Sequence, residues 1–371
     1  MSLRIAVVNQ HPEDVIGGSE LQAELFAREL AARGHAVTFL AMRSRRTDPP
    51  AATPYRLVRL GPDESADPGR VAAAVRATDA DVVYWRMNRI GLDGVARELA
   101  RGPRRVPVVL AIAHVDDVSR WPTGPLSAVG PRGRAAEIRH RLAHRRSWRA
   151  FRHVAAIAAQ RRDFIGRAPV ALQRHVPNVV DPRSEPFTRP RPYVAWVANL
   201  KPRKRPGLLV PIAQALAPHG IDLVVVGAVQ DPRYAHLVAP IDDAPTLHAL
   251  GPLPPHTAAG VIAGARALAV TFRPEGLSNA LLQAWWHGVP TVSLDYDPDG
   301  LIASASLGAV CDGDVARFLS ELVRHATDGT VRSEAGARAA ALARERFAVD
   351  ANVTALEELL RATVDASGRP A

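Results

Sequence analysis

Only two of the chain's 47 Lys and Arg residues are lysines, Lys201 and Lys204, and both stand in "NLKPRKRP" at 199–206. A compact ammonium on a flexible stem is suited to charged oxygens, whereas arginine is the planar fork used elsewhere in this chain. Lys201, Arg203 and Lys204 in one loop therefore offer a phosphate or carboxylate site. The competing reading is a solvated basic turn.

Two further stretches have the same character. In "VIGGSELQAEL", Gly17 and Gly18 precede a helical segment, and Ser19 with Gln22 has capping-box spacing. A glycine turn feeding a helix start presents backbone N–H groups and the positive end of the dipole to an anion. In "RPEGLSNALLQAWWHGVPT" at 273–291, a tight "RPEG" turn puts Glu275 after an apolar strand, Ser278 is a candidate N-cap, and Gln283 lies inside the helix that follows. A carboxylate there can accept from ligand hydroxyls, or merely offset the helix dipole. His114 closes the apolar run "VPVVLAIAH" ahead of Asp116 and Asp117, again at a strand end.

These residues need elements to hold them. Short apolar runs alternate with helical periodicity: "LRIAVV", helix 19–33, "AVTFLAM", "DVVYW", "VPVVLAIA", then "YVAWVA", helix 206–217, "DLVVVG", "TLHALG", "ALAVTF", helix 278–288 and "PTVSL". That is an α/β pattern of parallel strands covered on both faces, whose ligands sit at the carboxyl ends of the strands. "DPRSEPFTRPRP" at 181–192 lacks periodicity and divides the chain, giving domains at 1–182 and 183–349, the first rejoined by a C-terminal helix over 350–371. A chain of 371 residues, 47% hydrophobic, fills two such cores. The single cysteine, Cys311, excludes an internal disulfide framework, and the opening "MSLRIAVVNQH" is too short for a signal-peptide core. The expected location is cytoplasmic.

On these residues the chain resembles the retaining glycosyltransferases of the GT-B fold, family 4, the glycosyl transferases group 1. "GGSE" at 17–20, "VPNVVD" at 176–181 as a pre-linker strand, "LVVVG" at 223–227 and above all "EGLSNALLQAWWHGVPTV" at 275–292 carry the resemblance. It implies two facing Rossmann-like domains with a cleft between them. The second would hold a nucleotide-sugar donor and the first a hydroxyl acceptor, whether glycan, lipid-linked or small molecule, with no metal or other cofactor. By the same resemblance Gly17 and Gly18 lie against the diphosphate, His114 near the donor sugar, Lys204 on the phosphates and Glu275 on sugar hydroxyls. Gly276, Leu277, Ser278 and Asn279 help hold sugar or phosphate. Two positions depart from the family pattern. Asn199 stands where an arginine is usual, with Lys201 or Arg203 as substitutes. Gln283 ends an E-x7-E pattern whose second carboxylate binds ribose, and its amide is expected to replace that carboxylate.

Net charge is +10, and residues 132–153 hold eight arginines, three histidines and one acid. A basic helix there suits peripheral docking to an anionic membrane, or else is an ordinary exposed helix. Nucleic-acid binding through this helix is the non-enzymatic alternative, unsupported by any module signature. A nucleotide-sugar epimerase is the enzymatic one. "LDYDPDG" at 294–300 contains a D-x-D that reads as a turn and not as a metal site.

Overall fold

The computed structural model describes residues 2–49, 52–101, 104–123, 130–273 and 275–368. The chain divides into two units, Met1–Asn178 with Asp350–Ala371, and Val179–Val349.

The first unit is built on seven strands: β1 (Arg4–Asn9), β2 (Ala36–Ala41), β3 (Arg56–Arg59), β4 (Val82–Trp85), β5 (Val108–Ile112), β6 (Ala156–Ala159) and β7 (Leu172–His175). They pair in the order β3-β2-β1-β4-β5-β6-β7, parallel throughout. Strands β4, β5 and β6 are buried along their whole length, as a sheet covered on both faces requires. Polar-edged β3 and β7 show little of that continuous apolar signature, and the sequence pattern does not reveal them. "VPNVVD" is not a strand. Strand β7 ends at His175, and residues 176–181 run on outside any ladder. Helix Val349–Ala366 packs back on this unit: Arg33 donates to Thr354 Oγ1 at 2.7 Å, and His35 Nε2 lies 3.3 Å from Glu357 Oε1. Residues 369–371 of the expected terminal helix lie outside the described residues.

The second unit has six strands: β8 (Tyr193–Val197), β9 (Asp222–Val226), β10 (Leu247–Ala249), β11 (Leu268–Val270), β12 (Thr291–Ser293) and β13 (Gly308–Val310). Their order is β10-β9-β8-β11-β12-β13, also all parallel. Segment 181–192 is irregular, yet it is fastened to this unit. Arg189 and Arg191 both reach the buried Asp222 at 3.3 Å, and Glu185 N donates to His256 O. Helix Pro255–Ala263 approaches so closely that a Cβ at Gly260 would lie 1.7 Å from Glu185 O, which restricts that position to glycine.

In both sheets the chain starts near the middle and winds outward in opposite directions. The strand order reverses between β1 and β4 in the first unit and between β8 and β11 in the second. At such a switch point the loops leaving adjacent strands diverge and open a crevice.

Candidate active site

The loops after β8 and β11 carry the lysines and Glu275, so the second unit's switch point is where these groups meet. Lys204 Nζ donates to Glu275 Oε1 at 2.5 Å, with side chains 11% and 16% exposed. The ammonium also sits 3.8 Å from the centroid of Phe272, a cation–π contact that strengthens as water is excluded. Burial pushes the Lys204 pKa down, while Glu275 pulls it back up. An ammonium has three donors, so the ion pair leaves Lys204 able to donate to a second oxygen.

The backbone around this pair is closely determined. Thr271 Oγ1 donates to Lys204 O at 2.5 Å and itself accepts from Trp196 Nε1 at 2.9 Å. Arg273 N donates to Arg203 O at 3.0 Å. Arg205 takes a left-handed conformation, φ 50°, and pairs with Asp295. These bonds bind the β8 loop to the end of β11, so the order of the sheet itself places Lys204 against Glu275. Lys201 and Arg203 are half-buried on the same loop and bias the Lys204 pKa downward.

On the other side of the pair, Gly276 and Leu277 are buried, and Tyr296 donates through its hydroxyl to Gly276 O. Tyr296 is a positioning group that the sequence reading missed; its place after β12, in the same sheet, is the signal that could have found it. Ser278 is the N-cap of helix Asn279–Trp286 by backbone geometry, but its hydroxyl makes no capping bond. Pro274 of the "RPEG" turn lies outside the described residues.

Three expectations change. Glu275 does not address a ligand alone, since its carboxylate already pairs with Lys204. Asn199 Oδ1 accepts from Ala228 N at 3.0 Å, so its side chain ties the β8 loop to the β9 loop. There Gly227, φ 150°, passes so near Ala198 O that a Cβ would lie 1.9 Å from it. Gln283 Nε2 donates to Asp181 O at 3.0 Å, which fixes the amide orientation and leaves Oε1 buried without a hydrogen-bond partner. The amide therefore acts as a donor, a role no carboxylate can fill. In the D-x-D, Asp295 pairs with Arg205, and Asp297 accepts from Ile302 N and Ala303 N at the start of helix Leu301–Ser304.

In the first unit Gly17 and Gly18 open helix Gly18–Ala32, with Gly17 as N-cap. Ser19 lies inside the helix and is no capping-box residue. Its hydroxyl donates to Arg86 O at 3.1 Å and accepts from Asn9 Nδ2 at 3.2 Å, bracing the helix start against β1 and β4. His114 begins a 3-10 turn, Val115–Val118. Its Nδ1 accepts from Asp116 N at 3.0 Å, so the proton of the neutral ring is on Nε2. The buried Asp117 carboxylate accepts from His114 N at 2.9 Å and Ala113 N at 3.2 Å, and burial pushes its pKa up to about 6. Gly17, Gly18 and His114 belong to this unit, and the lysines, Glu275 and Gln283 to the other.

Two parallel doubly wound units, each reversing its strand order at a central switch point, are the two Rossmann-like units of the GT-B architecture. Residues 191–328, most of the second unit, match the family of glycosyl transferases group 1. No curated protein sequence matches the chain. Among solved structures, sucrose-phosphate synthase (tll1590) from Thermosynechococcus elongatus aligns with a TM-score of 0.76 at 15% identity, over 98% of this chain and 100% of that one. Anabaena Alr3699/HepE in complex with UDP-glucose aligns at 0.71 and 17% identity, over 97% and 100%. Trehalose-6-phosphate from E. coli bound with UDP-2-fluoro glucose aligns at 0.68 and 10% identity, over 96% and 99%. At these identities the likeness concerns the fold.

Proposed function

We propose that the chain transfers a sugar from a nucleoside-diphosphate sugar to a hydroxyl acceptor, with retention at the anomeric carbon and without a metal. The observation that carries this reading is the buried Lys204–Glu275 pair at the second unit's switch point. It sets a cation for a leaving diphosphate directly beside a carboxylate that can accept from sugar hydroxyls. UDP-glucose in the HepE complex makes a UDP-sugar the first donor to try.

As the bond from the anomeric carbon to the phosphate oxygen breaks, negative charge gathers on the departing diphosphate. Lys204, Lys201 and Arg203, with the mouth of helix Asn279–Trp286, meet that charge. The acceptor oxygen bonds to the anomeric carbon on the face the diphosphate leaves, and its proton passes to the departing phosphate oxygen. Glu275 holds the sugar through its hydroxyls. No helix among the described residues is long and apolar enough to cross a membrane. A cytoplasmic enzyme working on a glycan, lipid-linked or small-molecule acceptor fits this reading.

A thermal-shift screen over nucleoside diphosphates and their sugars tests donor binding, since ligand at about 100 times its Kd stabilises by about 2.7 kcal/mol. Product analysis with the best donor, in chelator, tests transfer. Absence of any stabilising nucleotide overturns the proposal, and isomerised free donor would make the protein an epimerase.

A further inference from the structure

Helix Gly130–Arg146 carries six arginines and one acid, Glu137, and among its described side chains only His144 is buried. Its apolar residues face outward: Ile138 is 50% exposed and Leu142 40%, one turn apart, and Trp121 is 47% exposed. The guanidinium of Arg145 lies 5.1 Å from the Trp121 ring, and Arg141 Nη1 reaches Pro122 O at 3.5 Å, so the Trp121 loop and the helix form one surface. Exposed apolar side chains and an indole within a field of arginines are unsuited to solvent. They fit an interface that is apolar below and anionic above.

The surface is braced to the interior by one residue. Arg89, 1% exposed in the loop after β4, donates from Nε to Ser147 Oγ at 3.1 Å, and its Nη2 lies 2.9 Å from His144 Nε2, at the end of the basic helix. The same guanidinium donates to Asp116 O at 3.0 Å and to the carbonyls of Asp117 and Ser119, the turn that begins at His114. It also stacks over Trp148 and Phe151. Helix end and His114 turn are therefore fixed to one buried cation.

We infer that Trp121, Ile138, Leu142 and the surrounding arginines form a docking surface for an anionic lipid bilayer. Ile138, Leu142 and Trp121 enter the headgroup boundary, while Arg134, Arg139, Arg145, Arg146 and Arg149 meet lipid phosphates. Arg89 holds this surface at a set position relative to His114. An acceptor anchored in the bilayer would then reach the first unit at a defined depth, a consequence that alone rests on the function proposed above.

Co-sedimentation with phosphatidylcholine vesicles, with and without phosphatidylglycerol, tests the inference whether or not the protein transfers sugar. Parent protein should partition to the anionic vesicles at least about tenfold more strongly than to the neutral ones, and less as salt rises. Replacing Arg145, Arg146 and Arg149 together with Gln, or Ile138→Asp with Leu142→Asp, should each reduce that partition by about tenfold or more; the changed side chains are exposed. Trp121 emission, isolated by difference from Trp121→Phe, should shift to the blue on anionic vesicles. Equal partition to both vesicle types, or unchanged partition in the folded variants, overturns the inference. So does salt-sensitive RNA binding that the arginine variant loses while no vesicle binding is seen.

Discussion

Lys204 Nζ and Glu275 Oε1 meet at 2.5 Å across 71 residues of chain. One residue follows β8 and the other β11, and these strands are neighbours only because the sheet reverses its winding between them. Each residue thus controls the other's environment, and each substitution has to be read through the partner.

Lys204→Ala should lower turnover by about tenfold to several hundredfold, since a charged donor contributes about 1.5–3 kcal/mol and more where charge builds in the transition state. Steady-state kinetics with the identified donor measures it. Transfer near the parent rate would remove Lys204 from the mechanism.

Glu275→Gln should all but abolish transfer while keeping the secondary structure, but it also strips a buried ammonium of its carboxylate. A fall in melting temperature should accompany the lost activity, and Lys204→Met in the same chain should restore part of that stability without restoring transfer. Parallel calorimetry and product assays separate the two effects. Full activity in Glu275→Gln defeats the assignment.

Gln283 Nε2 holds Asp181 O, and Oε1 is buried without a hydrogen-bond partner; the proposed function gives that oxygen a ribose hydroxyl to accept from. Gln283→Ala should raise the donor KM about tenfold with turnover little changed, if about 1–1.5 kcal/mol of uniform binding is lost. Gln283→Glu sets a carboxylate oxygen against the Asp181 carbonyl and should destabilise the fold by about 1–3 kcal/mol, so the two side chains are not interchangeable. A glutamate variant as stable as the parent would show the Asp181 bond to be dispensable.

Asp117 gives an unusual pH dependence. Its folded pKa of about 6 lies above the ordinary value of 3.8 because burial disfavours the carboxylate. The native state therefore keeps this proton after the unfolded chain has lost it, and stability declines as pH rises from about 4 to about 6, by on the order of 3 kcal/mol from this group. Asp117→Asn retains a carbonyl oxygen for Ala113 N and His114 N and should flatten that part of the profile. Urea midpoints measured across this range decide it: parallel curves for parent and variant rule the contribution out.

Much of the central sheet was legible because parallel strands covered on both faces must be apolar throughout, and "LRIAVV", "VPVVLAIA" and "DLVVVG" are. Strands β3 and β7 at the edge are "RLVR" and "LQRH", where one side lacks a neighbour and the signal fades. "VPNVVD" misled in the opposite direction, since its valines are buried by packing outside any ladder. Ser19 had the spacing of a cap, but the helix begins one residue before it and its hydroxyl serves the neighbouring strands.

The sequence by itself determined which loops could hold anions, since two lysines in an arginine-rich chain, a glycine turn and an acid at a helix mouth are local facts of residue type and spacing. It could not determine that Lys204 is buried against Glu275, that Asn199 and Gln283 turn to Ala228 and Asp181, or that Arg89 joins the His114 turn to the basic helix. Those contacts span 27 to 102 residues. Which of a side chain's possible partners it takes depends on strand order and on which polar groups folding removes from water, and only the tertiary structure decides both.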